Sequence, residues 1–231
     1  MQLQKATNAI SPASKPRYDD ACGTAHGLEL IGDRWALLIL RELMLGGRRF
    51  SQLRADLPGI SANILTQRLG ELEQRGLLLR KRLPPPAAAQ VYELTPWGYE
   101  AEPIVQTLGR WAARSPFHDP TLRISAVSSL LSLRTMHNPE RARGIDAVIG
   151  FRFGEDAYRG HLTADGLELV RAEPVGADVV FEGQPVSLMA AVHGGVPFDA
   201  LEAAGALTAC GDLELARRFV KLFPLPQKAP R

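Results

Sequence analysis

The feature that most constrains this chain is the turn Pro58-Gly59-Ile60-Ser61, set between two short stretches of helical periodicity. The stretch before it, Gln52–Leu57, has Ser51 as its expected N-cap. The one after it starts at Ser61, a good N-cap, and ends at Gly76. Leu77–Leu83 and Gln90–Leu94 then read as two antiparallel strands, and Pro84-Pro85-Pro86-Ala87-Ala88-Ala89 between them suits a stiff, protruding tip. A helix, a turn, a second helix and a two-stranded ribbon predict a winged helix-turn-helix. That order supplies one helix for a DNA major groove and one ribbon for the flanking backbone.

The surrounding segments support this reading. A helix is predicted from about Cys22 to Ile31, with a break at Gly32. Asp33 is the expected cap of a strong helix over Arg34–Leu45, whose stripe is Trp35, Leu38, Ile39, Glu42 and Leu43, and Gly46-Gly47 ends it. Thr95-Pro96 is a helix start, with threonine as N-cap and proline as first residue. The helix it opens is predicted to reach about Arg114, with a kink at Pro103.

On a helical wheel, Leu65, Leu69 and Leu72 share one narrow sector that must face the core. Asn63, Gln67, Gly70 and Gln74 face away from it, with Thr66 on the flank and Arg68 nearer the core edge. Amides pair with base edges and hydroxyls serve base or phosphate, so Ser61, Asn63, Thr66, Gln67 and Arg68 are the candidate reading residues. Arg48 and Arg49 before the short helix, and Arg80, Lys81 and Arg82 on the first wing strand, are the candidate phosphate contacts.

Charge is divided along the chain. Residues 15–115 hold 14 Lys and Arg against 11 Asp and Glu, whereas residues 116–231 hold 12 against 14. The first half is therefore the basic one, and double-stranded DNA is its expected partner. Only two cysteines occur, Cys22 and Cys210, far apart in the chain. No disulfide framework is expected, and a cytoplasmic home follows from that reading. The longest apolar run is Trp35–Leu40, so no membrane span is expected, and residues 1–16 read as a disordered arm.

Ser115–Pro120 marks the expected boundary between a domain over 17–115 and another over 120–231. The second is predicted as α+β, with a helix over Leu122–Leu133 and strands from Ala147, over Ala157–Thr163, Leu167–Glu173, Asp178–Glu182 and Ala206–Cys210. Asp165-Gly166 is a turn signal between two of them. Helices are predicted at Val186–Val192, Phe198–Ala204 and Leu213–Phe223, with a frayed tail over Pro224–Arg231. The five histidines, His26, His118, His137, His161 and His193, lack metal-ligand spacing. Gly144–Gly154 lacks the spacing of a phosphate loop, and no GxSxG elbow occurs. No enzyme activity, metal or cofactor is expected.

Cys22 before the first helix, LELIGDRW, LLILREL, RRFSQL, LPGIS, the RL-ELE-RGLL segment and a wing ending in YELTPWG together resemble the HxlR-type winged-helix regulators of bacteria, over residues 20–115. The resemblance implies a homodimer, formed by the N-terminal and post-wing helices, that binds a two-fold symmetric operator as a transcriptional regulator, with repression as the expected sign. It departs at Gly70, where the family usually carries a basic residue. It also implies an oxidant- or electrophile-sensing role for Cys22, whose thiolate gains from a helix start while Asp19 and Asp20 work against it.

The ADVVFEG strand and the GDLELARRF ending resemble the SCP2 (sterol carrier protein) fold over roughly Asn138–Phe223. That implies a five-stranded sheet under helices, enclosing an apolar tunnel for a lipid-like ligand. Leu188, Met189, Val192, Phe198, Leu201, Phe219 and Phe223 are the candidate lining, and the same residues would equally serve as ordinary core. Three readings remain open: a ligand-sensing regulator, a Cys22 thiol switch with a passive second domain, and a lipid carrier whose winged helix serves protein association.

Overall fold

The computed structural model of the protein describes residues 18–84 and 89–230. The expected N-terminal arm and residues 85–88 of the expected wing tip lie outside the described residues. The first half contains α1 (Gly23–Ile31), α2 (Ala36–Leu43), α3 (Phe50–Asp56), α4 (Ala62–Gln74), β1 (Leu78–Arg82), β2 (Gln90–Leu94), α5 (Pro96–Tyr99) and α6 (Glu102–Ala113). β1 and β2 pair antiparallel, and Arg48 adds a third short rung by exchanging both backbone hydrogen bonds with Tyr92.

Four local expectations need correction here. α2 begins at Ala36 rather than Arg34, because Trp35 takes a left-handed conformation at φ +79° and cannot continue a helix. Asp33 therefore does not cap it through its side chain, which instead meets Arg75 at 3.3 Å and Arg68 at 3.5 Å. Leu38, placed in the buried stripe, is half-exposed, and Ala36, Ile39, Leu40 and Leu43 carry the core face. Ser51 lies inside α3, whose N-cap is Arg49. There the Gln52 side chain accepts the Arg49 backbone N–H at 2.9 Å, the returning half of a capping box.

The helix after the wing also differs from the expectation. Thr95 caps α5 as predicted, accepting the Gly98 N–H at 3.0 Å, but α5 stops after one turn and the chain restarts as α6. Pro103 sits in the first turn of α6, where its missing N–H costs nothing. The proline starts a helix; it does not kink one.

The second half opens with α7 (Ala126–Met136), capped by Ser125, which accepts the Ser128 N–H at 3.0 Å. Placing that helix at Leu122 missed the serine signal. A short α8 (Pro139–Ala142) follows, then β3 (Asp146–Phe153), β4 (Asp156–Thr163), β5 (Leu167–Val170), β6 (Val179–Gly183), α9 (Pro185–Val192), α10 (Phe198–Ala203), β7 (Leu207–Gly211) and α11 (Leu213–Phe219). The five strands lie in the order β5-β4-β3-β6-β7, with β3 and β6 parallel and the other neighbours antiparallel. Alternation along β3 buries Ile149, Phe151 and Phe153 on one face, as the period of two demands.

One apolar core runs from α2 through α6 and α7 to the sheet and Phe223, so the two halves are packed together. The tail is also part of the structure. Lys228 Nζ donates to the carbonyls of Ala113 and Ser115 at 3.1 and 2.9 Å, and the Ala229 N–H donates to the Arg114 carbonyl at 2.8 Å. A cation placed on the last carbonyls of α6 satisfies acceptors that a helix end leaves orphaned. The expectation of a frayed tail is corrected accordingly.

Candidate nucleic-acid interface

The turn before α4 is built around Gly59, at φ +91°, with the Trp35 ring 3.8 Å from where a β-carbon would stand. Ile60 is buried beside it, and Ser61 accepts the Ile64 N–H at 3.3 Å. Leu65, Leu69 and Leu72 are fully buried, which turns Asn63, Thr66 and Gln67 outward. Thr66 spends its hydroxyl proton on the Ala62 carbonyl at 2.9 Å, and Gln67 Nε2 donates to Glu71 Oε1 at 2.9 Å. The Gln67 carbonyl oxygen and the Asn63 amide have no partner among the described residues. This face presents amide groups capable of pairing with a base edge.

The candidate cations divide into two groups. Arg49 is exposed at the start of α3, and Arg80, Lys81 and Arg82 are exposed along β1. Arg80 meets Glu73 at 3.0 Å and lies over the Tyr92 ring, while Lys81 meets Glu93 at 2.9 Å. Arg82 makes no ion pair among the described residues. Arg48 and Arg68 belong elsewhere, and their expected phosphate contacts are corrected. The Arg68 guanidinium is held by Glu71 and Asp33 against the body of the domain. Arg48 is only 3% exposed and reaches Asp56 on one side and Asp156 of β4 on the other. Burial alone works against its charge, but the hydrogen bonds to Asp156 and Asp56 outweigh it and hold the guanidinium firmly protonated. In sequence Arg48 looks like Arg49, and only the distant Asp156 distinguishes it, whereas Arg68 has Glu71 three residues on in the same helix. Gly70 stands in open space, with nothing within 4 Å of an added β-carbon.

Cys22 is exposed and forms the N-cap of α1. The backbone N–H groups of Thr24 and Ala25, with the Thr24 side chain, lower its thiol pKa, as a helix start favours thiolate. Cys210 is exposed on β7. No cluster of three metal-ligating side chains occurs among the described residues, nor any helix long and apolar enough to cross a membrane.

The residues expected to line an apolar tunnel fall into two groups. Leu188, Phe198, Phe219 and Phe223 are buried in the apolar core, with the Phe219 ring 5.1 Å from Phe181 and 4.9 Å from Phe223. Val192 and Leu201 pack partly buried against the same core. Met189 instead borders a cavity of about 450 Å³ where the two halves meet. Its walls come from α2, α6, α7 and α9, and sequence periodicity carried no sign of it because no single helix encloses it.

A recognition helix with an outward polar face, a preceding helix and a basic wing define a winged helix-turn-helix DNA-binding module. Residues 30–118 match the HxlR-like helix-turn-helix family. The uncharacterised HTH-type transcriptional regulator YvaP of Bacillus subtilis is 34% identical over 97 residues, covering 42% of this chain and 84% of the relative. YodB, an HTH-type transcriptional regulator of the same organism, is 37% identical over 83 residues, covering 36% and 74%. The structure of YodB in its reduced form is similar to 44% of this chain and 98% of its own, at 33% identity and a TM-score of 0.38. The chain belongs to the HxlR-like helix-turn-helix family.

Proposed function

We propose that this DNA-binding regulator acts as a homodimer on a two-fold symmetric operator, as a cytoplasmic transcriptional repressor without enzymatic activity. The single observation that carries the reading is the outward face of α4, where Asn63, Thr66 and Gln67 stand between exposed Arg49 and the Arg80–Arg82 strand. Base-edge readers flanked by phosphate-reaching cations are the minimum needed for sequence recognition. Dimer formation is supported by exposed apolar side chains on α1 and α6, namely Leu28, Ile104, Leu108 and Trp111. The second half is proposed to be SCP2-like, on the strength of its five-stranded sheet under helices, and to bring a small apolar molecule to bear on DNA affinity.

Selecting fragments from random genomic DNA on the full chain tests this reading. Enrichment of one palindromic sequence is expected, with affinity falling steeply in salt. Retention of all fragments alike, or of none, would overturn it.

A second reading has its own support in the lowered pKa of the Cys22 thiol. In it, oxidation of Cys22 controls DNA binding and the second half is passive. Treatment with diamide should then alter DNA binding by the wild type and leave Cys22→Ser unaffected. Equal responses would remove the thiol switch. Cys210→Ser serves as the control for the other exposed thiol.

A further inference from the structure

The cavity at the junction of the two halves has a volume of about 450 Å³, within the range of sites that enclose small molecules. Leu37 and Leu38 of α2 and Val105 and Leu108 of α6 form its wall from the first half; Leu131 of α7 and Met189 of α9 form the wall from the second. We propose that this cavity binds a small neutral molecule, mostly apolar and carrying one hydroxyl group, of the phenol class. The proposal deepens the apolar-ligand part of the reading above and places that ligand between the halves.

One polar pair of the cavity lining joins α7 to the end of α9. His193, at the end of α9, has its Nε2 3.0 Å from Ser132 Oγ, and its Nδ1 is buried without a hydrogen-bond partner. Burial, followed by the nearby His118, lowers the His193 pKa to about 4, so the ring is neutral near pH 7; the Phe223 backbone opposes this only in part. With Nε2 taken by Ser132 and Nδ1 buried, the Ser132 hydroxyl is the group left to meet a ligand hydroxyl, and the neutral imidazole behind it offers no countercharge to an ion. The charged side chains of the lining are already engaged. Arg41 is tied to Glu42 through Nε and Nη2, Arg123 donates to the Ala55 carbonyl at 3.1 Å, and Asp119 accepts from Thr121.

Gly109 supplies an independent observation. It lies within α6, where glycine weakens a helix, yet its φ is not positive and an added β-carbon would meet nothing within 4 Å. Neither backbone conformation nor crowding calls for glycine there. What its absent side chain does is leave volume in the cavity wall.

The test is calorimetric titration of the full-length protein with 1-naphthol, with 1-methylnaphthalene as the analogue that lacks the hydroxyl. Saturable binding of one 1-naphthol per chain is expected. Gly109→Leu and Met189→Trp, which fill the cavity from opposite walls, should each weaken it at least tenfold at unchanged circular dichroism and oligomeric state. Ser132→Ala should weaken 1-naphthol severalfold and leave 1-methylnaphthalene unchanged. Absence of saturable binding to the wild type overturns the proposal, as does equal binding by the wild type and both filled variants. DNA retention is measured separately on the same preparations. A protein that binds 1-naphthol but no DNA would sink the regulatory reading and keep the site, and the converse would sink the site alone.

Discussion

Arg48 and Asp156 are 108 residues apart in sequence and joined by two hydrogen bonds, at 2.8 and 3.0 Å, across the junction of the two halves. The same guanidinium holds Asp56 at the end of α3, and Asp156 also takes Arg171 at 2.6 Å. The backbone of Arg48 is meanwhile locked to Tyr92 of the wing. One side chain thus ties the wing and the helix preceding the recognition helix to the sheet of the second half. Removing it would leave Asp56 without this partner and Asp156 with Arg171 alone, both in a partly buried site.

Arg48→Ala should accordingly destabilise the protein by about 3 kcal/mol, the scale for breaking a buried ion pair on one side. Asp156→Asn should cost less, because Asp56 keeps its arginine. Urea denaturation of the three proteins checks this. Equal stability of wild type and Arg48→Ala would show the network to be energetically idle.

Gln67→Ala should weaken operator binding by about 1–3 kcal/mol and leave binding to random DNA nearly intact, because the residue stands on the outward face of α4. Arg82→Ala should instead weaken binding to every sequence and reduce the salt slope by about one unit. Competition titrations at several salt concentrations separate the two. Unchanged sequence preference in Gln67→Ala would mean that another face of the module reads the bases.

Much of this module was legible because its signals are local. Ser61, Thr95 and the turn at Gly59 act within four residues of themselves, and Leu65, Leu69 and Leu72 declare their face by spacing alone. What escaped the sequence was settled at a distance. The arginines at 48 and 49 are adjacent and chemically identical, yet Asp156 buries the first and nothing buries the second. Leu38 and Met189 carry the pattern of core residues, and only the meeting of four helices leaves a space beside them. Lys228 looked like part of a loose tail because its partners are carbonyls more than a hundred residues upstream.

Gly70→Lys adds a cation to the outward polar face of α4, whose one arginine, Arg68, is turned to Glu71 and Asp33. The position is helical and open, so a side chain fits without displacing a neighbour. Replacing a mid-helix glycine should stabilise the protein by roughly 0.5–1 kcal/mol. The added charge should also tighten binding to all DNA and raise the salt slope by about one unit. Thermal unfolding and salt titration read the two effects independently. A stabilised protein with an unaltered salt slope would place position 70 away from the phosphates.

His193 should make stability depend on pH in a defined direction. Its pKa falls from the ordinary 6.5 to about 4 in the folded protein, chiefly through burial and secondarily through His118. Between those values the unfolded chain binds a proton that the folded one refuses, so stability drops as pH falls from about 6.5 to 4. The full effect is of order 3 kcal/mol, taking 1.36 kcal/mol per unit. Glu42 acts in the opposite sense. Burial raises its pKa above the ordinary 4.5, so its contribution is lost as pH rises past that value. Comparing wild type with His193→Gln cancels the Glu42 term, since both proteins retain it. The stability difference measured by urea denaturation should therefore shift in favour of the variant as pH is lowered from 6.5 towards 4, and stay flat above pH 7.5. A difference that is constant across the whole range would mean that the His193 ring takes up its proton as readily in the folded protein as in water.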